Sequence, residues 1–166
     1  MSIKSSLSYK LKIKLVFFAT ALVAIIVLIL MNVSVANPTS GVFYNLKRLY
    51  EKTQLNLRTS PRTKLIYQYK LLDNRLAELS FITGSDASPY VLSTSLRYST
   101  TLGQITDLIT QNNMVDEVPT AKEKFSTQLT VVKNLINKYP KDDGEFKYVV
   151  DDANYLEIYI NKLSSL

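Results

Sequence analysis

The chain has no cysteine, no histidine and no tryptophan among its 166 residues. Without cysteine there are no disulfides, zinc–thiolate sites or iron–sulfur sites, no thiol catalysis and no lipid attached through sulfur. Without histidine the usual proton shuttle near neutral pH and the commonest metal ligand are gone. Most hydrolase triads and zinc enzymes are excluded with them. Four glycines and five prolines supply little material for β-turns. Acidic residues are missing from the first fifty positions, where Glu51 is the first to occur. Hydrophobic residues make up 46% and charged residues 20%. That is too apolar for a disordered tail and too polar for a protein with many membrane spans.

What is present begins with a long uncharged run. From Leu15 to Met31 every residue except Thr20 is apolar, and no charge occurs through Ala36, a stretch of 22 residues. As a helix it is about 33 Å long, enough for a hydrocarbon layer of about 30 Å. Lys4, Lys10, Lys12 and Lys14 precede it without a counter-charge, which orients the short flank toward the cytoplasm. Residues 1–14 are therefore expected to be a basic cytoplasmic segment, 15–36 a transmembrane helix that meets the lipid bilayer, and 37–166 an extracytoplasmic domain. The expected location is the cell membrane, single-pass, with the C-terminus outside. Ser34-Val35-Ala36 also offers small residues of the kind signal peptidase reads, so cleavage after Ala36 and secretion stays open.

Beyond the run, apolar residues recur at the helical spacing of three and four. One face holds Phe43, Leu46, Tyr50, Thr53 and Leu57. Ser60-Pro61 is a helix-start signal, and Leu65, Tyr69, Leu72, Leu76, Leu79 and Thr83 follow before Gly84. Ser88-Pro89 opens a helix with Val91, Ser95, Tyr98, Leu102, Ile105 and Ile109, and Asn112-Asn113 ends it. Thr120 and Glu123 form a capping-box pattern ahead of Phe125, Leu129, Val132 and Ile136. Asp142, Asp143 and Glu145 place negative charge before a last helix with Phe146, Val149, Ala153, Leu156, Ile160 and Leu163. The predicted fold class is all-α: one N-terminal transmembrane helix followed by a four- to five-helix antiparallel bundle. It divides into a hairpin at 41–84 and a second helical part at 88–164, with 84–89 as a turn or hinge.

Residues 43–79 carry a distinct pattern: Tyr44-x-Leu46-Lys47-Arg48-x-x-Glu51, then Ser60-Pro61, then Arg75-Leu76-Ala77-Glu78. The pattern resembles a family of uncharacterised bacterial extracytoplasmic helical domains, a domain of unknown function that stands behind a single membrane helix. The resemblance implies a cell-surface helical domain and no reaction. Some members of that family follow an anti-sigma-factor region, for which the short segment before Leu15 leaves no room. Read physically, the pattern is a lock for a helical hairpin. Antiparallel pairing around the turn at 58–60 sets Lys47 opposite Asp73 and Tyr44 beside Arg75 and Leu76, one turn from Glu78. Arg48–Glu51 and Arg75–Glu78 are local pairs three residues apart. A ligand or partner site in the same residues is the alternative.

The remaining candidates have plain readings. Asp142-Asp143-Gly144-Glu145 lacks the spaced ligands of a calcium loop and reads as helix capping. Asp151-Asp152 reads as a solvated face, since neighbours on a helix point about 100° apart. Tyr50, Tyr69 and Tyr98 read as core, and Tyr155 and Tyr159, one turn apart beside the last stripe, leave an exposed contact pair open as the alternative. Residues 37–84 hold 8 basic and 3 acidic groups, and 85–166 hold 8 basic and 11 acidic. The basic stretch Lys47, Arg48, Lys52, Arg58, Arg62 and Lys64 suits anionic lipid or an anionic wall polymer. No metal, cofactor, nucleic acid or small-molecule substrate is expected. These observations point to a non-enzymatic extracytoplasmic domain that binds a protein or cell-envelope partner, or else to a sensor or regulatory subunit of a membrane complex.

Overall fold

The computed structural model describes residues 3–85 and 87–166, with the side chains of residues 3–10, 12, 28–32 and 34 outside the description. Six α-helices account for most of it: α1 Ile3–Val35, α2 Val42–Asn56, α3 Pro61–Thr83, α4 Val91–Gln111, α5 Val118–Lys138 and α6 Phe146–Ser164. Among the described residues there is no strand. Asp86, in the expected hinge at 84–89, lies outside the described residues.

α1 starts at Ile3, so the described part of the basic segment, from Ile3 to Lys14, belongs to the same helix as the apolar stretch. Among the described residues no helix is long and apolar enough to cross a membrane. Within the apolar stretch the side chains of 28–32 and 34 lie outside the description.

The helix starts follow local chemistry, with two corrections. Ser60 accepts a hydrogen bond from the Thr63 N–H at 3.2 Å and Pro61 occupies the first helical position. Ser88 does not cap α4. A 3-10 turn over Ser88–Tyr90 comes first, and the free Leu92 N–H donates to Glu145 Oε2 at 3.2 Å. A carboxylate from the α5–α6 connection thus satisfies the start of α4. The capping box at Thr120 does not form, because α5 already begins at Val118 with Pro119 in its first turn. Gly41, ahead of α2, takes a left-handed φ of +55°.

The core is built by four helices. Leu65, Leu72 and Ile82 of α3 meet Tyr98, Leu102, Ile105 and Ile109 of α4. Phe125 and Val132 of α5 meet Val149, Leu156 and Leu163 of α6. Each large apolar side chain taken from water stabilises by roughly 1.5–3 kcal/mol. α3 packs along α4 and α5 along α6, each pair a hairpin, and the two hairpins join chiefly through α4 and α6.

Within each hairpin the helices run antiparallel as expected, and the departure from an all-antiparallel bundle lies in the contact between the hairpins. Ser95 Oγ donates to the Tyr148 carbonyl, Lys162 pairs with Asp107, and a Cβ on Gly103 would meet Tyr159. These pairs advance together along the chain, so α4 and α6 run parallel. On the other helix of each hairpin Arg62 pairs with Asp116 and Glu117, and Lys124 with Asp73, so α3 and α5 also run parallel. The second hairpin is laid on the first in the same sense rather than folded back against it.

α2 is the larger surprise. It packs lightly on α3. Its expected core face points outward: Phe43, Leu46, Tyr50, Thr53 and Leu57 are all exposed. The side that turns inward carries Tyr44 and Glu51. The reason lies in α3, whose surface toward α2 presents Arg75 and Glu78, so an apolar stripe would have desolvated those charges without pairing them.

Candidate functional site

Five residues of the Tyr44–Glu78 pattern converge between α2 and α3. Tyr44 Oη donates to Glu78 Oε2 at 2.8 Å. Lys47 Nζ donates to Glu78 Oε1 at 3.0 Å and to the Ala36 carbonyl, just past α1, at 2.9 Å. Arg75 spans both carboxylates: one guanidinium nitrogen lies 2.9 Å from each oxygen of Glu78, and the other donates to Glu51 Oε2. Arg75, Glu51 and Glu78 are all buried.

Charges balance here, two cations against two anions, which is what a buried ionic cluster requires. Burial opposes the Arg75 charge, but Glu78 and Glu51 outweigh it and hold the guanidinium above its ordinary value. Burial, then the Glu78 charge and its hydrogen bond, push the Tyr44 phenol well above its ordinary value, so it stays a donor. Arg97 of α4 lies over the Tyr44 ring at 5.2 Å, and burial lowers its pKa.

Placement differs from the sequence reading in four respects. Lys47 meets Glu78 rather than Asp73, which is taken by Lys124 and Gln128 of α5. Glu51 pairs with Arg75 rather than Arg48, because Arg75 reaches it across the hairpin while Arg48 stays at the surface. Leu46 is exposed and outside the cluster, and Leu76 packs half-buried on the main core. Tyr50 is exposed, whereas Tyr98 is buried and Tyr69 packs on the core.

Beside the cluster a groove of about 520 Å³ opens between α2, α3 and α4. Leu49, Leu55, Leu71 and Leu96 give it apolar walls, and Arg48, Lys52 and Arg97 give it positive charge. Glu51 also lines it, and Glu51 Oε1 is buried without a hydrogen-bond partner. The groove can accept a ligand that combines apolar and anionic groups. Among the described residues no group of three or more Asp or Glu side chains is placed to hold a metal ion.

Two polar features escape a reading of the sequence. Tyr98 Oη donates to Gln128 Oε1 at 2.8 Å, and Gln128 Nε2 donates to Asp73 Oδ1 at 2.9 Å, tying α4 to α5 and α3. Asp152, expected on a solvated face, is fully buried with both carboxylate oxygens unpartnered. Burial pushes its carboxyl up to about 8; the nearby Ser95 hydroxyl, which donates to the Tyr148 carbonyl and not to the carboxylate, opposes the rise, and Asp151 adds to it. Its position between Val149 and Leu156 on the apolar face is the signal the sequence offers. The acidic turn also works differently from a simple helix cap. Asp143 accepts from the Glu145 N–H at 2.7 Å, from Ser88 at 2.8 Å and from Tyr139 at 3.0 Å. The Glu145 N–H, then Ser88, hold the Asp143 carboxyl below its ordinary value. Tyr155 and Tyr159 stack with ring centroids 6.4 Å apart, Tyr155 exposed and Tyr159 half-buried.

No curated protein and no solved structure matches the chain. A family model described as "Domain of unknown function (DUF5667)" matches residues 38–141, which takes in the ionic cluster, the groove and α5 but stops short of α6. That match covers well over half of the sequence, and the chain belongs to this DUF5667 family.

Proposed function

We propose that the chain is a membrane-anchored, non-enzymatic extracytoplasmic domain that holds a protein or cell-envelope partner in the groove between α2, α3 and α4. The groove carries the reading: apolar walls beside Arg48, Lys52 and Arg97 suit a partner that offers apolar and acidic groups together. The anchor is read from sequence, from the uncharged stretch of 22 residues behind four lysines. Support for keeping it uncleaved comes from Ala36, which is buried with its carbonyl held by Lys47, and from the helix running through Val35. A peptidase needs that segment extended and accessible.

A photo-crosslinking residue in place of Leu96, in the full chain in living cells, tests the groove. The proposal expects one discrete adduct that Arg97→Glu removes, and none from the same probe at Ser126 on the outer face of α5. Equal adducts from both positions, or none from Leu96, would overturn it.

A second reading, a sensor or regulatory subunit, is favoured by one contact. Lys47 touches both the carbonyl just past α1 and Glu78 of the cluster. A ligand that pulled Glu78 away would release that end of α1. Co-purification of a stable membrane complex from mild detergent, rather than retention by isolated envelope, would favour this reading.

A further inference from the structure

We infer that the outward face of α2 lies on an anionic lipid surface, so that α2 is an interfacial helix as well as one wall of the groove. The inference rests on the reading of 15–36 as a membrane anchor.

Val42, Phe43, Leu46, Leu49, Tyr50 and Leu57 are all exposed, Val42 at 73% and Leu57 at 69%. They fall within a sector of about 120° on the side of the helix away from Tyr44 and Glu51, with Leu49 at the edge that also lines the groove. The ionic cluster fixes this orientation: rotating α2 to bury the apolar sector would strip Glu78 of Tyr44 and Lys47, and Arg75 of Glu51. The apolar face is therefore held outward by buried charge pairing. A contiguous exposed apolar face of this kind marks an interaction surface.

Two observations select lipid as the occupant. The first is chain continuity. Only the turn from Ala36 to Gly41 separates α1 from α2, and Lys47 holds the Ala36 carbonyl. The start of α2 therefore stays within a short distance of the point where the anchor leaves the bilayer. The second is composition. Phe43 and Tyr50 are residues that favour the membrane–water interface, and Lys52 stands exposed between the apolar sector and the groove, while Arg48 faces the groove. An apolar face with an aromatic pair and a cationic flank is the pattern of a helix lying in the plane of an anionic membrane.

The absence of tryptophan permits a clean test. Single-tryptophan variants Leu46→Trp, Leu57→Trp, Ile25→Trp and Thr127→Trp of the full chain are placed in vesicles of equimolar phosphatidylcholine and phosphatidylglycerol. Brominated lipids then serve as quenchers. The expected result is blue-shifted, strongly quenched emission at positions 46 and 57 with shallow bromine, quenching at 25 with deep bromine, and no quenching at 127. Replacing phosphatidylglycerol by phosphatidylcholine should reduce quenching at 46 and 57 and leave position 25 unchanged. Quenching at 25 without quenching at 46 and 57 overturns the inference and keeps the anchor. Quenching at 46 and 57 without quenching at 25 keeps the lipid face and removes the anchor. Blue-shifted emission at 46 and 57 that bromine does not quench means that protein, a second copy or a partner, covers the face, and that also overturns the inference.

Discussion

Raising the pH should weaken this fold in a window set by one side chain. Asp152 is fully buried, neither of its oxygens has a hydrogen-bond partner, and burial pushes its carboxyl from 3.8 to about 8. The unfolded chain releases this proton near 3.8, whereas the folded chain keeps it until about 8. Between those values the native state binds the extra proton, so stability falls as pH rises and levels off above about 8. A tenfold difference in proton affinity is worth about 1.4 kcal/mol, so between pH 3.8 and neutrality the loss is at most about 4 kcal/mol. The groups around Asp152 compensate only in part, through the Ser95 hydroxyl. Ser95 and Tyr98 of α4 are neutral, Tyr98 donates to Gln128 of α5, and the neighbouring Asp151 repels. Asp143 works in the opposite sense: its depressed pKa supplies stability that is lost only as the solution becomes strongly acidic. Urea titrations of the full chain in mild detergent, from about pH 4 to about pH 9, would measure the slope. Asp152→Asn should flatten it. The amide left without partners costs about 1–3 kcal/mol, so the variant should be the more stable protein above neutrality and the less stable one near pH 4. Parallel curves for wild type and variant would refute the reasoning.

Three further outcomes rest on particular contacts. Glu78→Ala leaves Lys47 and Arg75 short of a carboxylate and should cost about 3–5 kcal/mol in urea unfolding, against about 1 kcal/mol for Tyr44→Phe, which removes one hydrogen bond. Leu46→Gln should change stability by less than about 0.5 kcal/mol, since the side chain faces outward, whereas Leu72→Gln in the core should abolish cooperative unfolding. Glu145→Ala removes the acceptor for the Leu92 N–H and should cost about 1 kcal/mol, with amide exchange rising in the first turn of α4 ahead of the rest of that helix.

Four of the five helices that follow α1 are legible in the sequence because apolar spacing reports burial wherever helix packs on helix. Val91, Tyr98, Leu102, Ile105 and Ile109 of α4 are all fully buried, as their spacing predicts. The same reasoning misplaces α2. Its stripe is just as regular, but periodicity says only that a helix has an apolar face and leaves open whether protein or something else covers it. The choice is made by Arg75 and Glu78 on the neighbouring helix, a pairing across the hairpin that local pattern does not contain. For the same reason the expected pairs Lys47–Asp73 and Arg48–Glu51 do not form. Asp152 is easily misread because a doubled acid looks like a surface feature, although its register with Val149 and Leu156 places it inward. The parallel stacking of the two hairpins depends on contacts between distant segments and leaves no periodic trace.

The proposed function depends on a helical domain held outside the membrane by an uncleaved N-terminal helix. Because the chain has no cysteine, single-cysteine variants report topology directly. In intact cells a membrane-impermeant maleimide should label Asn113→Cys and Ser165→Cys on a full-length 18.8 kDa product in the membrane fraction, and should reach Ser5→Cys only after permeabilisation. Labelling at position 5 but not at 113 and 165 in intact cells, or recovery of the unlabelled full-length protein from the soluble fraction, would contradict it.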